Sequence, residues 1–245
     1  MEYKMGLQEE YFNAMKYGSK KIEIRLFDEK RKQLAVGDTI QFLLEPDRKN
    51  KINSKIIRLT KYKTFSEAIE NIPIYYLASQ GSSKQKYLED LNKYYSIEEQ
   101  NKYGVIAIEV EIREKSCGLV VFKKEQGVLK VLLVHHNLGH WGLPKGHVED
   151  NETEEEAAIR ETLEETSVKA MIINGFRQTV TYRPKENVIK DVIFFIGESK
   201  IDEIVPQLNE ISEASFIEID KAIVLISYDN EKKLLKDAID YYINH

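Results

Sequence analysis

Cysteine is almost absent from this chain. Cys117 stands alone among 245 residues, which excludes an internal disulfide and fits a reducing, cytoplasmic setting. It opens the apolar run CGLVVF, so it reads as a buried structural thiol rather than a nucleophile. Long apolar runs are missing too. None approaches the ~18 residues that a spanning helix needs, and the opening MEYKMGLQEE has no signal-peptide core, so no membrane partner is expected. Proline and glycine number only 5 and 12, and they gather in no linker or low-complexity tract. Internal repeats are absent. The length suits one large domain or two ordinary ones.

What is present begins with an uneven charge. Residues 1–113 carry 20 basic and 17 acidic side chains, net +3, whereas residues 114–245 carry 16 and 24, net −8. Lys16–Lys63 alone holds 14 basic against 6 acidic residues. Such a shift suggests two domains with different partners, divided near Arg113–Ser116 between two strand-like runs. The basic stretch would attract phosphate, and Tyr17 or Tyr62 nearby could stack on a base.

In the first half, Leu7, Tyr11, Ala14 and Met15 fall at helical spacing and predict a helix stopped by Gly18. KKIEIRLF alternates as a strand, with Ile22, Ile24 and Leu26 on one face and Lys21, Glu23 and Arg25 on the other. Further strands are expected at Val36–Phe42, Lys55–Lys63 and Tyr103–Ile112, and a helical stretch from Phe65 to Gln100. In the second half, SCGLVVFKK and VLKVLLVHH read as a hairpin about the turn Glu125-Gln126-Gly127. Strands follow near Gly175–Tyr182 and Asp191–Gly197. A closing helix from Asn230 to Tyr242 carries Leu234, Leu235, Ala238 and Ile239 inward.

The densest chemistry lies in GHVEDNETEEEAAIRETLEETSV. With a helix from about Thr153, Glu161, Glu164 and Glu165 share one face at i, i+3 and i+4. Three crowded carboxylates repel one another unless a cation sits among them, and Mg²⁺ is held by one or two carboxylates plus substrate phosphates. On the helical wheel Ile159 and Leu163 lie opposite the acidic stripe and are expected to anchor the helix to a core, with Ala157 and Ala158 flanking the stripe.

Gly146, Glu152, Arg160, Glu161, Glu164 and Glu165, at their spacing, resemble the Nudix box of hydrolases that split a nucleoside diphosphate linked to another group. Two positions depart from the family pattern: Thr162 replaces an aliphatic residue, and Ser167 replaces a glycine that would allow positive φ at the helix exit. The resemblance implies an α/β/α sandwich in which Glu161 and Glu165 ligate divalent ions, Mg²⁺ or Mn²⁺, with Glu164 as further ligand or base. It implies that a carbonyl of Lys145 or Gly146 joins them and that Arg160 pairs with Glu152. A carboxylate outside the box often completes such sites, and Glu210 is the candidate. HWGLPKGHVE is similar to the diadenosine tetraphosphate hydrolase branch, which implies phosphate contacts from Lys145, His140 and His147 and a ring, Tyr182, stacked on adenine.

Gly18-x-Lys20-x-x-Glu23-x-Arg25, followed by Val36-Gly37-Asp38, resembles the ASCH domain, a small β-barrel related to PUA RNA-binding domains. The resemblance implies a cleft for RNA or modified nucleosides at Lys20, Lys21, Glu23 and Arg25. Some ASCH relatives are amidohydrolases acting on acylated cytidine, with Lys20 at the matching catalytic lysine. Glu23 stands where those enzymes carry threonine, which argues against amidase activity.

The expected fold is therefore α+β in two domains, an ASCH-like (PUA-like) β-barrel with helices over residues 1–113 and a Nudix sandwich over 114–245. The expected reaction is Mg²⁺-dependent hydrolysis of dinucleoside polyphosphates such as diadenosine tetraphosphate. An enzyme trimming or decapping RNA 5′ ends is the alternative, with the first domain gripping the transcript. A non-catalytic nucleotide sensor is a further alternative, and the retention of Glu161, Glu164 and Glu165 argues against it. Nothing in the sequence sets an oligomeric state.

Overall fold

Strand alternation and capping signals place most elements, and long-range pairing supplies the rest. A computed structural model describes residues 1–79, 81–149, 151–200 and 203–245. The chain divides into two compact units, Met1–Glu114 with Arg183–Ile189, and Lys115–Tyr182 with Lys190–His245.

In the first unit, β1 (Glu2–Leu7) leads into α1 (Glu9–Lys16) and then β2 (Ile22–Leu26), β3 (Thr39–Leu44) and β4 (Lys51–Tyr62). Short helices α2 (Phe65–Asn71), α3 (Ile74–Leu77), α4 (Lys84–Asn92) and α5 (Ile97–Tyr103) precede β5 (Val105–Glu125). The single helical stretch expected over Phe65–Gln100 is thus broken into four helices. Pro73 removes a backbone donor, and Ser83 and Ser96 each cap a new start through Lys86 N and Glu99 N. The helix expected to include Leu7 starts two residues later, because Leu7 ends β1, which pairs parallel to β3. Sheet order is β1-β3-β4-β5-β2, all other pairs being antiparallel. The sheet curls until its two unpaired edges are bridged by Arg25, whose Nη2 of β2 donates to Gly6 O of β1 at 2.9 Å. One core lies inside this curl around Met15, Phe42, Ile56 and Ile108, and Val188 of the Arg183–Ile189 segment joins it. A second packs α2–α4 on β2 through Phe65, Ile69, Leu77 and Ile24.

In the second unit, Gln126 and Gly127, both at positive φ, form the two-residue turn from β5 into β6 (Val128–His136). Next come β7 (His140–Gly142), β8 (Lys145–His147), α6 (Glu154–Thr166), β9 (Met171–Lys185), β10 (Val188–Glu198), β11 (Ile211–Glu218), α7 (Ile219–Leu225) and α8 (Asp229–Asn244). β11 and β7 pair antiparallel with β6, β8 pairs with β5, and β10 lies between β5 and β9. Successive β5 residues alternate between the two faces. Cys117, Leu119 and Val121 pack with Ala157 and Ala158 of α6, while Val120 and Phe122 pack with Leu234, Leu235 and Ala238 of α8. That alternation makes the α/β/α sandwich.

The buried face of α6 is not the one that the helical wheel predicts. Ile159 and Leu163 are 37% and 40% exposed, and the buried face is Ala157, Ala158, Thr162, Glu165 and Thr166. Small side chains let α6 approach the sheet closely, which larger residues on that face would prevent. Thr162 is accepted in this buried face because its hydroxyl donates to Ala158 O at 2.8 Å within the helix.

Candidate active site

Thr153 starts α6 with a capping box: Glu156 N donates to Thr153 Oγ1 at 3.2 Å, and Thr153 N donates to Glu156 Oε2 at 2.8 Å. Ser167 ends it at φ 61°, in the left-handed region that a glycine would occupy without cost. This helix faces β8, whose Gly146 is aligned with Cys117 of β5. A Cβ built on Gly146 would overlap the Glu161 carboxylate. Glycine is therefore what allows Glu161 to lie against the β8 backbone, where the Gly146 carbonyl belongs.

Arg160 uses all five of its donors. Nε and Nη2 reach the two oxygens of Glu152 at 3.0 and 2.7 Å, and Nη2 also reaches His147 O at 2.9 Å. Nη1 donates to Glu161 Oε1 at 2.9 Å and Glu164 Oε2 at 3.2 Å. The guanidinium holds the Glu152 carboxyl below its ordinary value, and the same carboxylates raise Arg160. Glu165 is buried and accepts Lys145 N at 3.1 Å. Burial pushes it up to about 8 against the pull of Lys145, with Glu161 and Glu210 adding to the rise. Burial likewise raises Glu161. Two carboxyls so raised are ones that an added cation would strongly favour in the charged form.

No three His, Cys, Asp or Glu side chains among the described residues are already gathered into a metal cage. Arg160 takes up Glu161 and Glu164, and the Lys145 amide takes up one Glu165 oxygen, so the carboxylates face their internal partners. The donor set is nevertheless all oxygen, with the Glu161 carboxylate lying against Gly146. It fits a hard divalent ion. Glu210 sits in the turn before β11, where Asn137 N donates to its carbonyl at 2.9 Å and its charge is felt at Glu165.

Lys145 Nζ lies 3.3 Å from Glu231 Oε1. His140 stacks on His136 with centroids 4.3 Å apart and meets Tyr228 edge-on at 5.4 Å. Burial lowers His140 and takes His136 down to about 3, so both are neutral, and His136 Nε2 has no hydrogen-bond partner among the described residues. His147 is exposed, and its charge is felt at Glu161. Tyr182 packs on the cluster that holds Trp141 and Leu143. Glu231, His136 and Tyr228 lie outside the residues that the sequence singles out. A signal for Glu231 exists, since it precedes Leu234 and Leu235 by three and four residues on the inward face of α8.

The NUDIX domain matches residues 113–238, and the ASCH domain matches residues 5–114. This chain belongs to the Nudix family. The asymmetrical bis(5′-nucleosyl)-tetraphosphatase of Rattus norvegicus is 30% identical to it over 136 residues, spanning 51% of this chain and 92% of that protein. The Caenorhabditis elegans counterpart is 31% identical over 127 residues, 50% of this chain and 91% of its own length. The crystal structure of a C. elegans Ap4A hydrolase binary complex matches with TM-score 0.50 at 28% identity, over 54% of this chain and 99% of that one. The protein is thus a Nudix pyrophosphohydrolase carrying an N-terminal ASCH domain. Nudix hydrolases generally use divalent metals.

The ASCH unit contains a cavity of about 680 Å³ lined by Tyr11, Tyr87, Tyr94, Tyr95, Glu23 and Arg25 among others. Lys20 is wholly buried behind it and has an acceptor for each ammonium proton: Ile22 O at 2.8 Å, Leu77 O at 2.5 Å and Glu23 Oε2 at 3.0 Å. The other Glu23 oxygen holds Arg25. Burial lowers Lys20, and Glu23 opposes the shift. Lys21 pairs with Glu186 and lies over Tyr76, and it does not line the cavity.

Proposed function

We propose that the Nudix unit hydrolyses dinucleoside polyphosphates such as diadenosine tetraphosphate, releasing a nucleoside triphosphate and a monophosphate. The observation that carries this reading is the meeting of a cation and two carboxylates at one short strand. Lys145 holds Glu165 through its amide while Gly146 makes room for Glu161. The tetraphosphatases named above support it, because the shared region spans 92% of the rat protein.

Glu161, Glu165 and the Gly146 carbonyl would hold Mg²⁺ or Mn²⁺, with Glu164 and Glu210 as further ligands or base. Such an ion would supply charge neutralisation for the polyphosphate oxygens and a lowered pKa for bound water. Lys145 contacts a phosphate oxygen, neutral His140 donates to another, and His147 lies beside them. Glu164, half exposed at 52%, is open to take the proton of the attacking water. Arg160 does not touch the substrate; it fixes the Glu152 loop to α6. Tyr182 offers the ring for an adenine.

In the ASCH unit the cavity is read as a site for RNA or a nucleoside, with Arg25 on its wall and Lys20 and Glu23 maintaining that wall. Its size and its tyrosines favour the second reading of the whole chain, a hydrolase for RNA 5′ ends. One comparison separates the two: kcat/KM with Mg²⁺ on diadenosine tetraphosphate against 5′-triphosphorylated and capped RNA. Turnover of the dinucleotide far below that of RNA overturns the first reading. Full activity in Glu161→Gln removes the catalytic assignment. Unchanged RNA and nucleoside affinity in Tyr94→Ala removes the role of the cavity.

A further inference from the structure

A carboxylate outside the Nudix box sits beside Lys145. Glu231 is the third residue of α8, and a glutamate there ordinarily serves its own helix by facing the free amides. This one is 4% exposed and turns away, reaching across the unit to the loop between β7 and β8. Its Oε2 accepts Leu143 N at 3.2 Å, and its Oε1 lies 3.3 Å from Lys145 Nζ. Gly142 makes the approach possible, since a Cβ there would come within 2.8 Å of Glu231 Oε2. The same helix junction is tied to β7 twice more, by Trp141 N to Ser227 Oγ and by Ser227 N to Trp141 O, both at 3.0 Å.

We propose that Glu231 is a positioning residue: it fixes the Lys145 ammonium and the Leu143–Lys145 backbone so that one lysine presents its charge to the polyphosphate while its amide holds Glu165. Lysine has a flexible four-carbon stem and three rotatable donors, so its charge is poorly placed unless something orients it. Leu143 O, 3.4 Å from Nζ, takes one of those donor directions, and the Glu231 carboxylate pairs with the same ammonium at 3.3 Å on the protein side. A donor remains for a substrate oxygen. Orientation fixed before binding removes an ordering cost that a free lysine would bring to the complex. This inference rests on the reading that Lys145 contacts phosphate.

A double-mutant cycle tests it. Wild type, Lys145→Ala, Glu231→Gln and the double variant are compared in Mg²⁺-dependent hydrolysis of diadenosine tetraphosphate. The dissociation constant of the dinucleotide is also read in EDTA from the fluorescence of Trp141, the sole tryptophan. The glutamine side chain is as long as the glutamate and keeps an acceptor for Leu143 N–H. Glu231→Gln is expected to raise KM and the dissociation constant about fivefold, with kcat within about twofold, and to change neither in the Lys145→Ala background. An equal effect in both backgrounds overturns the proposal, as does a KM that falls, the result for a merely repulsive neighbour. Lys145→Ala with unaltered KM and affinity overturns the phosphate reading and this inference together, a pattern distinct from additivity. If Glu231→Gln melts below the assay temperature, Glu231→Asp, charged but one methylene short, enters the same cycle with the same criteria.

Discussion

Replacing Arg160 by methionine keeps the side-chain stem on α6 and removes the guanidinium that joins five acceptors. The bidentate contact to Glu152 decides the size of the effect. Arg160 is 24% and Glu152 15% exposed, between a surface pair and a buried one. Exposed pairs contribute up to ~1 kcal/mol, and breaking a buried pair costs ~3–5 kcal/mol, so about 2 kcal/mol is expected here. For a unit of this size that corresponds to a melting temperature lower by about 8 °C. Trp141 fluorescence follows the Nudix unit alone, and EDTA removes any contribution from bound metal. The pH dependence has a definite sign. Glu152 lies below its ordinary 4.5 in the folded protein, so its contribution is present above that value and fades as pH falls through the lowered one. The gap between wild type and Arg160→Met should therefore close in acid. A loss below about 2 °C at neutral pH, or a gap as wide at pH 3 as at pH 7, refutes the reasoning, given the size of shift expected per kcal/mol.

Three other outcomes follow from single contacts. Gly146→Ala drives a methyl into the Glu161 carboxylate, and a displacement of about 1 Å there should cut kcat/KM about 100-fold while the Trp141 melt stays near wild type; activity within about threefold of wild type would contradict the cradle. Glu23→Gln leaves Lys20 and Arg25 enclosed without a counter-charge and should destabilise the ASCH unit by about 3 kcal/mol in a circular-dichroism melt. A loss under about 1 kcal/mol would mean that the triad is not held as described. Ser167→Gly relieves a left-handed residue that costs roughly 1 kcal/mol, partly offset by loss of the Ser167 Oγ bond to Val205 O at 3.2 Å. The Trp141 melt should rise by about 2 °C, and any fall would show that the hydroxyl contact outweighs the strain.

Local signals are readable in the sequence, and long-range ones are not. The start of α6 follows from Thr153 and Glu156 alone, and the β5–β6 turn follows from Gln126-Gly127, because both are decided within four residues. β1 escapes such a reading because it pairs parallel to β3 with no turn between them to announce it. β11 escapes it because a register shift between Ile211 and Glu213 breaks the alternation that marks a strand. The wheel on α6 picks the wrong face because it ranks side chains by hydrophobicity. What decides that face is how near α6 comes to the sheet, and the small Ala157, Ala158, Thr162 and Thr166 permit that approach. The ASCH cavity is hidden for a related reason: Tyr11, Tyr87 and Tyr95 come from separate segments and meet only in the fold.

Arg160 and Lys20 are each committed to their own chain. Arg160 has five acceptors for five donors, and Lys20 has three for three. Neither can turn to a phosphate without leaving partly or fully buried carboxylates unpaired, which costs more than the new contact returns. Charge for a ligand must then come from side chains with a donor to spare. In the Nudix unit Lys145 is one, 3.3 Å from Glu231. In the ASCH unit Lys4, Arg31 and Arg48 stand on the cavity lining, and the two arginines pair with Asp28 and Glu45, partly exposed carboxylates three residues away. Such pairs are worth about 1 kcal/mol or less and exchange readily for a phosphate. On the proposed reading, ligand selectivity in each unit rests on the lining cations, while the family-marking Arg160 and Lys20 hold the walls against which those cations act.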